Sequence, residues 1–592
     1  MKQFLVTVAG VFAGLVLFFV VAPFVLIAMI AGAVSRPTPT PAATVLQLDL
    51  RQTLPDQEPP SPLAALRAHS PSVVSIEQTL RQAETDDRVK ALFVRLPESG
   101  VAPAAADELR LAFRHFRAAG KPIIVHSQGL YPAGVVSSTY MLGASASQLW
   151  MQPGAPFQVT GLAMGDLFFK RLFDKYGVKP DFQQRYEYKN AVNGYLYDDY
   201  TAAHKESELS WMGSIYHTAL QTVAQDRGLN AAALEKTIEA GPYNAEEARA
   251  HGLIDKVGEV EEARQAALTA AGAGAKTQDF DVYASAHRPT VKAGADVIAL
   301  VGAEGVIMTG TGGHDLFSTD TNIHSDDVAA ALRRAADDKD VKAIVFRVSS
   351  PGGGDTASEQ ILAAVRAAKA KKPVVVSMGT YGASGGYWIS SQASAIVAEP
   401  TTLTGSIGVY GGKFVLGQAL AHFGIDARHL GVGGDFASAY EVDQPFTDSQ
   451  RAAFSKAIDQ VYDSFIVHVA QGRRLPEARV REIAKGRVWT GEQAKALGLV
   501  DQLGGLYDAV DKAKALAGIS GQQVELKTVS ANASSLSAIG RALGVSENSL
   551  KTLGTLSAVL AEPRVQSLTQ ALTQADLRDR GAGLVLAPTP VH

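Results

Sequence analysis

The sequence contains no cysteine among its 592 residues. This absence excludes disulfide bonds, thiolate zinc sites, iron–sulfur clusters and a cysteine nucleophile. Excess charge is also nearly absent, because 55 basic residues almost balance 59 acidic ones. The composition therefore gives no electrostatic reason to expect nucleic acid or an anionic membrane surface as a partner. A chain of this length with 46% hydrophobic residues is expected to form at least two globular units.

A long hydrophobic run lies at the N-terminus. No charged residue occurs from Phe4 to Val34, and a membrane-spanning helix needs roughly 20 apolar residues. We predict a transmembrane helix over 4–34, with residues 1–3 in the cytoplasm. A cleaved secretory signal is the alternative, although its apolar region is only about 7–15 residues long. The proline-rich stretch 35–45 is predicted to be an extended spacer, and the rest of the chain is expected outside the cytoplasm.

The remainder of the sequence contains an internal repeat. The segment Val89–Arg95 reappears as Val341–Arg347, and each is a short apolar run typical of a buried parallel strand. In both copies a helical segment follows, and then a further apolar run at 123–125 or 374–376. Strands that alternate with helices predict an α/β fold with a largely parallel sheet and right-handed connections.

The repeat predicts two tandem domains. Later motifs keep the copies in register at an offset of 246 or 247 residues. We place the first domain at 46–275 and the second at 290–525, joined by an Ala- and Gly-rich linker at 276–289. Residues 526–592 are predicted to form an accessory tail.

Two glycine-rich loops of the second domain are candidate sites, because ligands bind beyond the carboxyl ends of parallel strands. The loop 381–388 carries Ser384 among small residues at a strand-to-helix turn, which is the position of an exposed nucleophile. The N–H of Gly385 would then lie beside the attacking oxygen. The loop 349–355 can offer backbone N–H groups to a developing oxyanion, and its alternative is an ordinary turn. It lacks the Lys-Ser/Thr ending of a phosphate-binding loop.

A serine hydroxyl needs a base. None of the 13 histidines lies in a comparable loop, and a lysine can serve only if desolvation lowers its pKa. Lys189, in the aromatic and apolar segment 186–192, is the candidate, whereas a solvated surface charge is the alternative. At the 247-residue offset Lys189 aligns with Phe436. The neighbouring apolar runs at 123–125 and 374–376 place Ser384 near residues 133–134, where no serine occurs. Each copy lacks the group of the other, so we predict one site built from both.

The chain resembles the bacterial signal peptide peptidase A family in its long, duplicated form. The resemblance covers nearly the whole chain and rests on Tyr188–Ala191, Ser350–Gly353, Ala383–Tyr387 and Leu403–Gly408. It implies tandem domains of the Clp protease/crotonase-like fold, a Ser/Lys dyad, and a tetrameric bowl that faces the periplasm from the inner membrane. The implied substrates are remnant signal peptides left in the membrane after preprotein cleavage.

The resemblance also implies the roles of individual residues. By position, Ser384 is the nucleophile, Lys189 the general base, Gly352 and Gly385 the oxyanion N–H donors, and Ser406 the residue that orients the lysine. A neutral lysine would take the serine proton, and water would hydrolyse the acyl-enzyme. This chemistry is expected to need no metal or cofactor.

Two other functions remain alternatives. A crotonase-type enzyme acting on acyl-CoA would share the fold, but that chemistry usually relies on acidic residues and CoA contacts. A catalytically silent membrane scaffold of peptidase ancestry would not need an intact serine, lysine and glycine loop. We therefore predict a single-pass, membrane-anchored serine endopeptidase, homotetrameric, with its catalytic domain on the periplasmic side and apolar peptides as substrates.

Overall fold

The computed structural model describes residues 39–58, 71–287, 294–312 and 321–530. The predicted transmembrane helix and most of the predicted tail lie outside these residues. No helix within the described ranges is long and apolar enough to span a membrane.

The first repeat is built on a six-stranded parallel sheet. The strands of the whole repeat, in chain order, are β1 (Thr44–Asp49), β2 (Val89–Arg95), β3 (Ile123–Ser127), β4 (Gln148–Met151), β5 (Pro156–Phe157), β6 (Lys179–Arg185), β7 (Tyr243–Asn244), β8 (Lys256–Val257) and β9 (Lys276–Asp279). The sheet has the order β8-β4-β3-β2-β1-β9. Strands β5 and β7 form a separate antiparallel pair.

Within the described residues, ten α-helices belong to this repeat. They are α1 (Val73–Thr85), α2 (Pro103–Ala118), α3 (Val136–Ala144), α4 (Lys170–Tyr176), α5 (Asn193–Leu196), α6 (Ala202–Arg227), α7 (Ala231–Glu239), α8 (Ala245–Ala250), α9 (Val260–Ala271) and α10 (Phe280–Ala286). Residues 91–94 of β2 are at most 3% exposed. Both faces of the strand are therefore packed, which explains its uninterrupted apolar sequence.

The second repeat follows the same plan. Its strands are β10 (Val297–Glu304), β11 (Ile307–Met308), β12 (Ile323–His324), β13 (Val341–Ser350), β14 (Val374–Ala383), β15 (Ala395–Ala398), β16 (Leu403–Gly405), β17 (Val409–Val415), β18 (Val488–Thr490), β19 (Gln502–Leu503) and β20 (Glu525–Thr528). Its helices are α11 (Ser325–Asp337), α12 (Asp355–Lys369), α13 (Gly385–Ser390), α14 (Gly417–His422), α15 (Asp448–Arg473), α16 (Glu477–Ile483), α17 (Gly491–Ala496) and α18 (Leu506–Leu516).

The main path of the second sheet runs β18-β16-β14-β13-β10-β20, and β15 joins it beside β14 and carries β19. Its pairs are parallel except for β16 with β18. The tandem α/β organisation predicted from the repeat is thus confirmed. The carboxyl ends of β13 and β14 carry the two glycine-rich loops.

The predicted linker at 276–289 is wrong. Strand β9 and helix α10 occupy most of it, so the first repeat continues to residue 286. The sequence did not indicate a strand here because β9 is polar. Its pairing with β1 determines its structure. The second repeat likewise continues beyond 525, because β20 ends at Thr528.

The repeats are joined by main-chain pairing. Strand β6 of the first repeat pairs antiparallel with β17 of the second, in a register that runs from Lys179 opposite Val415 to Arg185 opposite Val409. The rings of Phe182 and Phe414 pack edge to face across this pair, with centroids 5.1 Å apart. The chain leaves β6 directly towards the second repeat, and Lys189 follows four residues later.

A buried ion cluster forms a second junction between the repeats. Arg347 of β13 is fully buried and donates to both carboxylate oxygens of Asp56, at 2.9 and 2.5 Å, and of Glu108, at 3.0 and 2.5 Å. Both carboxylates belong to the first repeat. Burial and the surrounding negative charges raise the pKa values of the neighbouring Glu77 and Glu399. Since one guanidinium serves two buried carboxylates, this junction depends on that side chain.

Candidate active site

Ser384 lies at the turn between β14 and α13. Its backbone has φ +54° and ψ −119°, a conformation that residues other than glycine rarely adopt. Its N–H donates to the carbonyl of Gly405 at 2.9 Å and fixes the turn. A Cβ on Gly386 would lie 2.5 Å from the Ser350 carbonyl oxygen, so the turn has no space for a side chain there. The strained turn resembles the nucleophile elbow of hydrolases.

Lys189 reaches Ser384 from the other repeat. Its Nζ lies 3.0 Å from Ser384 Oγ and also donates to the carbonyl oxygen and to Oγ of Ser406, each at 2.9 Å. The lysine is 4% exposed, and burial lowers its pKa from 10.5 to about 7. Near neutral pH a substantial fraction of molecules therefore holds a neutral amine beside the serine hydroxyl.

Ser406 adopts a left-handed backbone conformation, with φ +48°. Its N–H donates to the Arg487 carbonyl at 2.8 Å, while its own carbonyl oxygen and Oγ both accept from the lysine. The structure thus brings the predicted orienting residue into contact with Lys189. Two acceptors on one residue fix the position of Nζ in two directions.

The predicted oxyanion loop lies against the serine, but the amide that it offers differs from the prediction. A Cβ on Gly352 would lie 2.7 Å from Ser384 Cβ, and this glycine has φ +117°. Its N–H, however, donates to Ser350 Oγ at 3.1 Å and is already occupied. Within the described part of the chain, the N–H of Gly353 has no acceptor. Sequence spacing alone does not distinguish the amides of two adjacent glycines.

The amide nitrogen of Gly353 lies close to Gly385, the residue after the serine. A Cβ on Gly385 would be 3.1 Å from Gly353 N, and a Cβ on Gly352 would be 2.9 Å from Gly385 N. Both predicted loops therefore converge at one place. Because the Gly352 N–H is occupied, Gly353 and Gly385 are the candidate donor pair, and Gly352 permits the close approach of the two loops.

The equivalent place in the first repeat has no nucleophile. Val135 precedes α3 as Ser384 precedes α13, and its φ is −90°. A Cβ on Gly100 would lie 2.3 Å from Val135 N, which parallels the packing of Gly352 on Ser384. In the second repeat, Phe436 lies in a short 3₁₀ turn and is 42% exposed. Each repeat thus contributes a different part to a single centre.

These parts suit nucleophilic acyl transfer. A neutral amine at 3.0 Å can accept the proton of the serine hydroxyl, and two adjacent amides can receive the charge that develops on an acyl oxygen. Among the residues that the structure describes, no group of three or more His, Asp or Glu side chains is arranged to hold a metal ion. Fold and site together define a hydrolase with a serine nucleophile.

Comparison with known proteins gives the family. The profile of peptidase family S49 matches residues 115–274 and 366–520, once in each repeat. Protease 4 of Salmonella typhi is 34% identical over 464 residues, which are 76% of this chain and 73% of that protein. Protease 4 of Haemophilus influenzae is 32% identical over 467 residues, 75% of this chain and 73% of that protein.

A plant relative extends the similarity. The chloroplastic serine protease SPPA of Arabidopsis thaliana is 27% identical over 514 residues, 85% of this chain and 74% of that protein. The chain belongs to peptidase family S49. It is a serine peptidase of the long, duplicated signal peptide peptidase A type.

Proposed function

We propose that the chain is a membrane-anchored endopeptidase that hydrolyses remnant signal peptides and other apolar peptides with a Ser384/Lys189 dyad. The observation that carries the proposal is the 3.0 Å contact between Lys189 Nζ and Ser384 Oγ, made across the two repeats by a buried lysine. An exposed lysine would stay protonated at neutral pH, whereas burial lowers the pKa of this one to about 7.

In the proposed mechanism, neutral Lys189 takes the proton of Ser384 as Oγ attacks the peptide carbonyl. The N–H groups of Gly353 and Gly385 receive the charge on the carbonyl oxygen. The ammonium of Lys189 then gives its proton to the leaving amine, and an acyl-enzyme remains. Lys189 then takes a proton from a water molecule as that water attacks the ester, and it returns the proton to Ser384 Oγ as the acid product leaves. Ser406 holds Nζ in position throughout.

The pH dependence of the reaction follows from the same lysine. Below a pH of about 7 the folded enzyme holds Lys189 as an ammonium, which cannot accept a proton. We therefore expect kcat to rise with pH through about 7 and to reach a plateau above it.

The membrane part of the proposal rests on the sequence. The uncharged run from Phe4 to Val34 is long enough to cross a bilayer, and the proline-rich stretch 35–45 would hold the catalytic repeats away from it. We propose a periplasmic catalytic part, an inner-membrane anchor and a homotetramer. Protease accessibility in spheroplasts, membrane fractionation and the mass of the solubilised particle test these three points separately.

The dyad is tested by labelling and turnover. A serine-directed fluorophosphonate should label the folded protein and leave the Ser384→Ala variant unlabelled. The Lys189→Ala variant should unfold as cooperatively as the parent but hydrolyse no peptide. Labelling that persists in Ser384→Ala, or turnover that persists in Lys189→Ala, would overturn the proposal.

The substrate class needs its own comparison. A leucine-rich synthetic signal peptide should be cleaved faster than a polar peptide of equal length, because release of apolar surface from water favours binding. Equal rates would refute the preference for apolar peptides. Turnover of an acyl-CoA thioester without peptide cleavage would instead support the crotonase-type alternative.

A further inference from the structure

We infer that the loop Lys485–Arg487 of the second repeat is a positioning element that holds Lys189 at the serine, and that Gly486 is its essential residue. The inference rests on the proposed Ser/Lys function and adds a residue group to it. The loop lies between α16 and β18, far in sequence from both members of the dyad. Its residues act through Lys189 and Ser406.

Gly486 is packed directly on the main chain of Lys189. A Cβ at this position would lie 2.6 Å from N, from Cα and from Cβ of Lys189. A Cβ in a protein essentially never makes a non-bonded contact that short, so one of the two segments would have to move. The glycine also has φ +84°, a conformation that side chains disfavour. The position therefore requires glycine both for space and for backbone conformation.

Hydrogen bonds connect this loop to both segments that carry the amine and its acceptors. The Lys485 carbonyl accepts from the N–H groups of Tyr186 and Tyr188, each at 3.2 Å. On the other side, Gly486 N–H donates to the Ile407 carbonyl at 2.8 Å. The Arg487 carbonyl accepts from Ser406 N–H at 2.8 Å, as described above. One short loop thus fixes the donor Lys189 and the acceptor Ser406 relative to each other.

Side chains of the loop add contacts to the same lysine segment. Lys485 Nζ lies 2.8 Å from a carboxylate oxygen of Glu187. The Arg487 guanidinium lies over the Tyr188 ring, 4.9 Å from its centroid, and donates to Glu206 at 2.6 Å. Tyr188 in turn donates to Glu206 at 2.9 Å. The three residues that precede Lys189 are therefore held by the second repeat.

The described residues of the first repeat contain no equivalent of the loop Lys485–Arg487. Three residues, 240–242, separate α7 from β7, whereas four residues, 484–487, separate α16 from β18. The C-cap residues Ala240 and Ala484 both have negative φ, −77° and −81°. None of residues 240–242 has a positive φ, while Lys485 and Gly486 have φ +55° and +84°. The longer, left-handed loop occurs in the repeat on which the lysine docks. A general requirement of the fold would have placed it in both.

The test is the Gly486→Ala variant of the full-length protein. The new methyl group should displace the Lys189 main chain, lengthen the distance from Nζ to Ser384 Oγ and admit water. A displacement of about 1 Å at a catalytic group can lower a rate about 100-fold. We expect kcat to fall by about that factor with KM within about threefold, because the loop is inferred to act through Lys189 and not on the substrate itself. Water around the amine should also move the midpoint of the kcat–pH profile above 7.

Gly518→Ala is the matched control. This glycine has φ +74°, and a Cβ on it would meet no atom within 4 Å. The control therefore carries the same backbone cost as Gly486→Ala without a contact at the lysine. It should lower the unfolding temperature by a similar amount and leave kcat and the pH midpoint unchanged.

If the Gly486→Ala protein does not fold, as judged by the loss of a cooperative unfolding transition, a second variant tests the same loop. In Lys485→Gly the positive φ is easily adopted, so the protein should fold, but the loop becomes more mobile and loses its contact with Glu187. We expect a several-fold fall in kcat and an alkaline shift of the midpoint. Parent-like values in the folded variant would overturn the inference.

The outcomes separate this inference from the proposed function. If Lys189→Ala keeps full turnover, the dyad itself is wrong. If Lys189→Ala is inactive but folded Gly486→Ala matches Gly518→Ala in kcat and pH midpoint, the dyad stands and the positioning loop is wrong. A fall in kcat with an unmoved midpoint and an unfolding temperature below that of the control also contradicts the inference, since it indicates general loosening of the fold.

Discussion

Replacing Lys189 by methionine is expected to abolish turnover and to change how stability depends on pH. Methionine keeps the volume of the side chain but removes a group that is costly to bury as a cation. The folded-state pKa of Lys189 is about 7, against 10.5 in the unfolded chain. Between these values the unfolded state binds more protons than the folded state, so the parent becomes more stable as pH rises.

The magnitude follows from the width of that window. One pKa unit corresponds to about 1.4 kcal/mol, so a shift of about 3.5 units destabilises the folded parent by about 5 kcal/mol below pH 7. This cost disappears above about pH 10.5, where the amine is neutral in both states. The variant leaves the carbonyl and hydroxyl of Ser406 without their donor, which costs about 1–3 kcal/mol at every pH. Lys189→Met should therefore be more stable than the parent at pH 7 and less stable near pH 10.5.

The assay is urea unfolding of the detergent-solubilised parent and variant at pH 7, 8, 9 and 10. The difference in unfolding free energy should change by about 4 kcal/mol over this range, since three pH units are crossed within the window. Other titrating groups cancel in the difference. Lys456→Met, at an exposed position of α15, is the control and should show no such slope. A pH-independent difference for Lys189→Met would refute the buried neutral amine.

Three further variants, one of them with a matched control, test other parts of the structure. Ser406→Ala removes one of the two acceptors that hold Nζ and should lower kcat about 10-fold, the equivalent of one hydrogen bond, with KM unchanged in steady-state assays. Gly353→Ala places a Cβ 2.1 Å from a backbone carbonyl and should abolish turnover in a protein that still folds by circular dichroism, whereas at Gly354 the nearest such atom is 3.8 Å away and Gly354→Ala should stay active. Arg347→Met leaves two buried carboxylates unpaired and should destabilise the protein by roughly 3–5 kcal/mol in thermal or urea unfolding; a parent-like stability would contradict the described junction.

The repeat and its strands could be predicted from the sequence because parallel strands buried on both faces have a simple apolar signature. Strand β2 spans the predicted residues, and β13 begins at the predicted Val341. The absence of a serine in one copy and of a lysine in the other predicted a shared centre, and the structure brings Lys189 and Ser384 into contact. Their catalytic roles stay a prediction that the variants test.

Other features depend on contacts between distant parts of the chain and have no local signature. Lys485 meets Glu187 across 298 positions, and Arg347 meets Asp56 across 291. The occupied amide of Gly352 was missed for a different reason. Ser350, whose hydroxyl accepts from that amide, looks like an ordinary turn residue in the sequence. A polar strand such as β9 is specified by its neighbour in the sheet rather than by its own pattern.

The division of the centre between two repeats also determines when the enzyme can become active during its own synthesis. Lys189 is made 195 residues before Ser384, and β17, the partner of β6, is made later still. Under the proposed Ser384/Lys189 mechanism, a growing chain that has completed only its first repeat carries a base without a nucleophile. Hydrolysis by this dyad would begin only after the late strand has paired with the early one, so the order of translation would delay cleavage until both repeats are made.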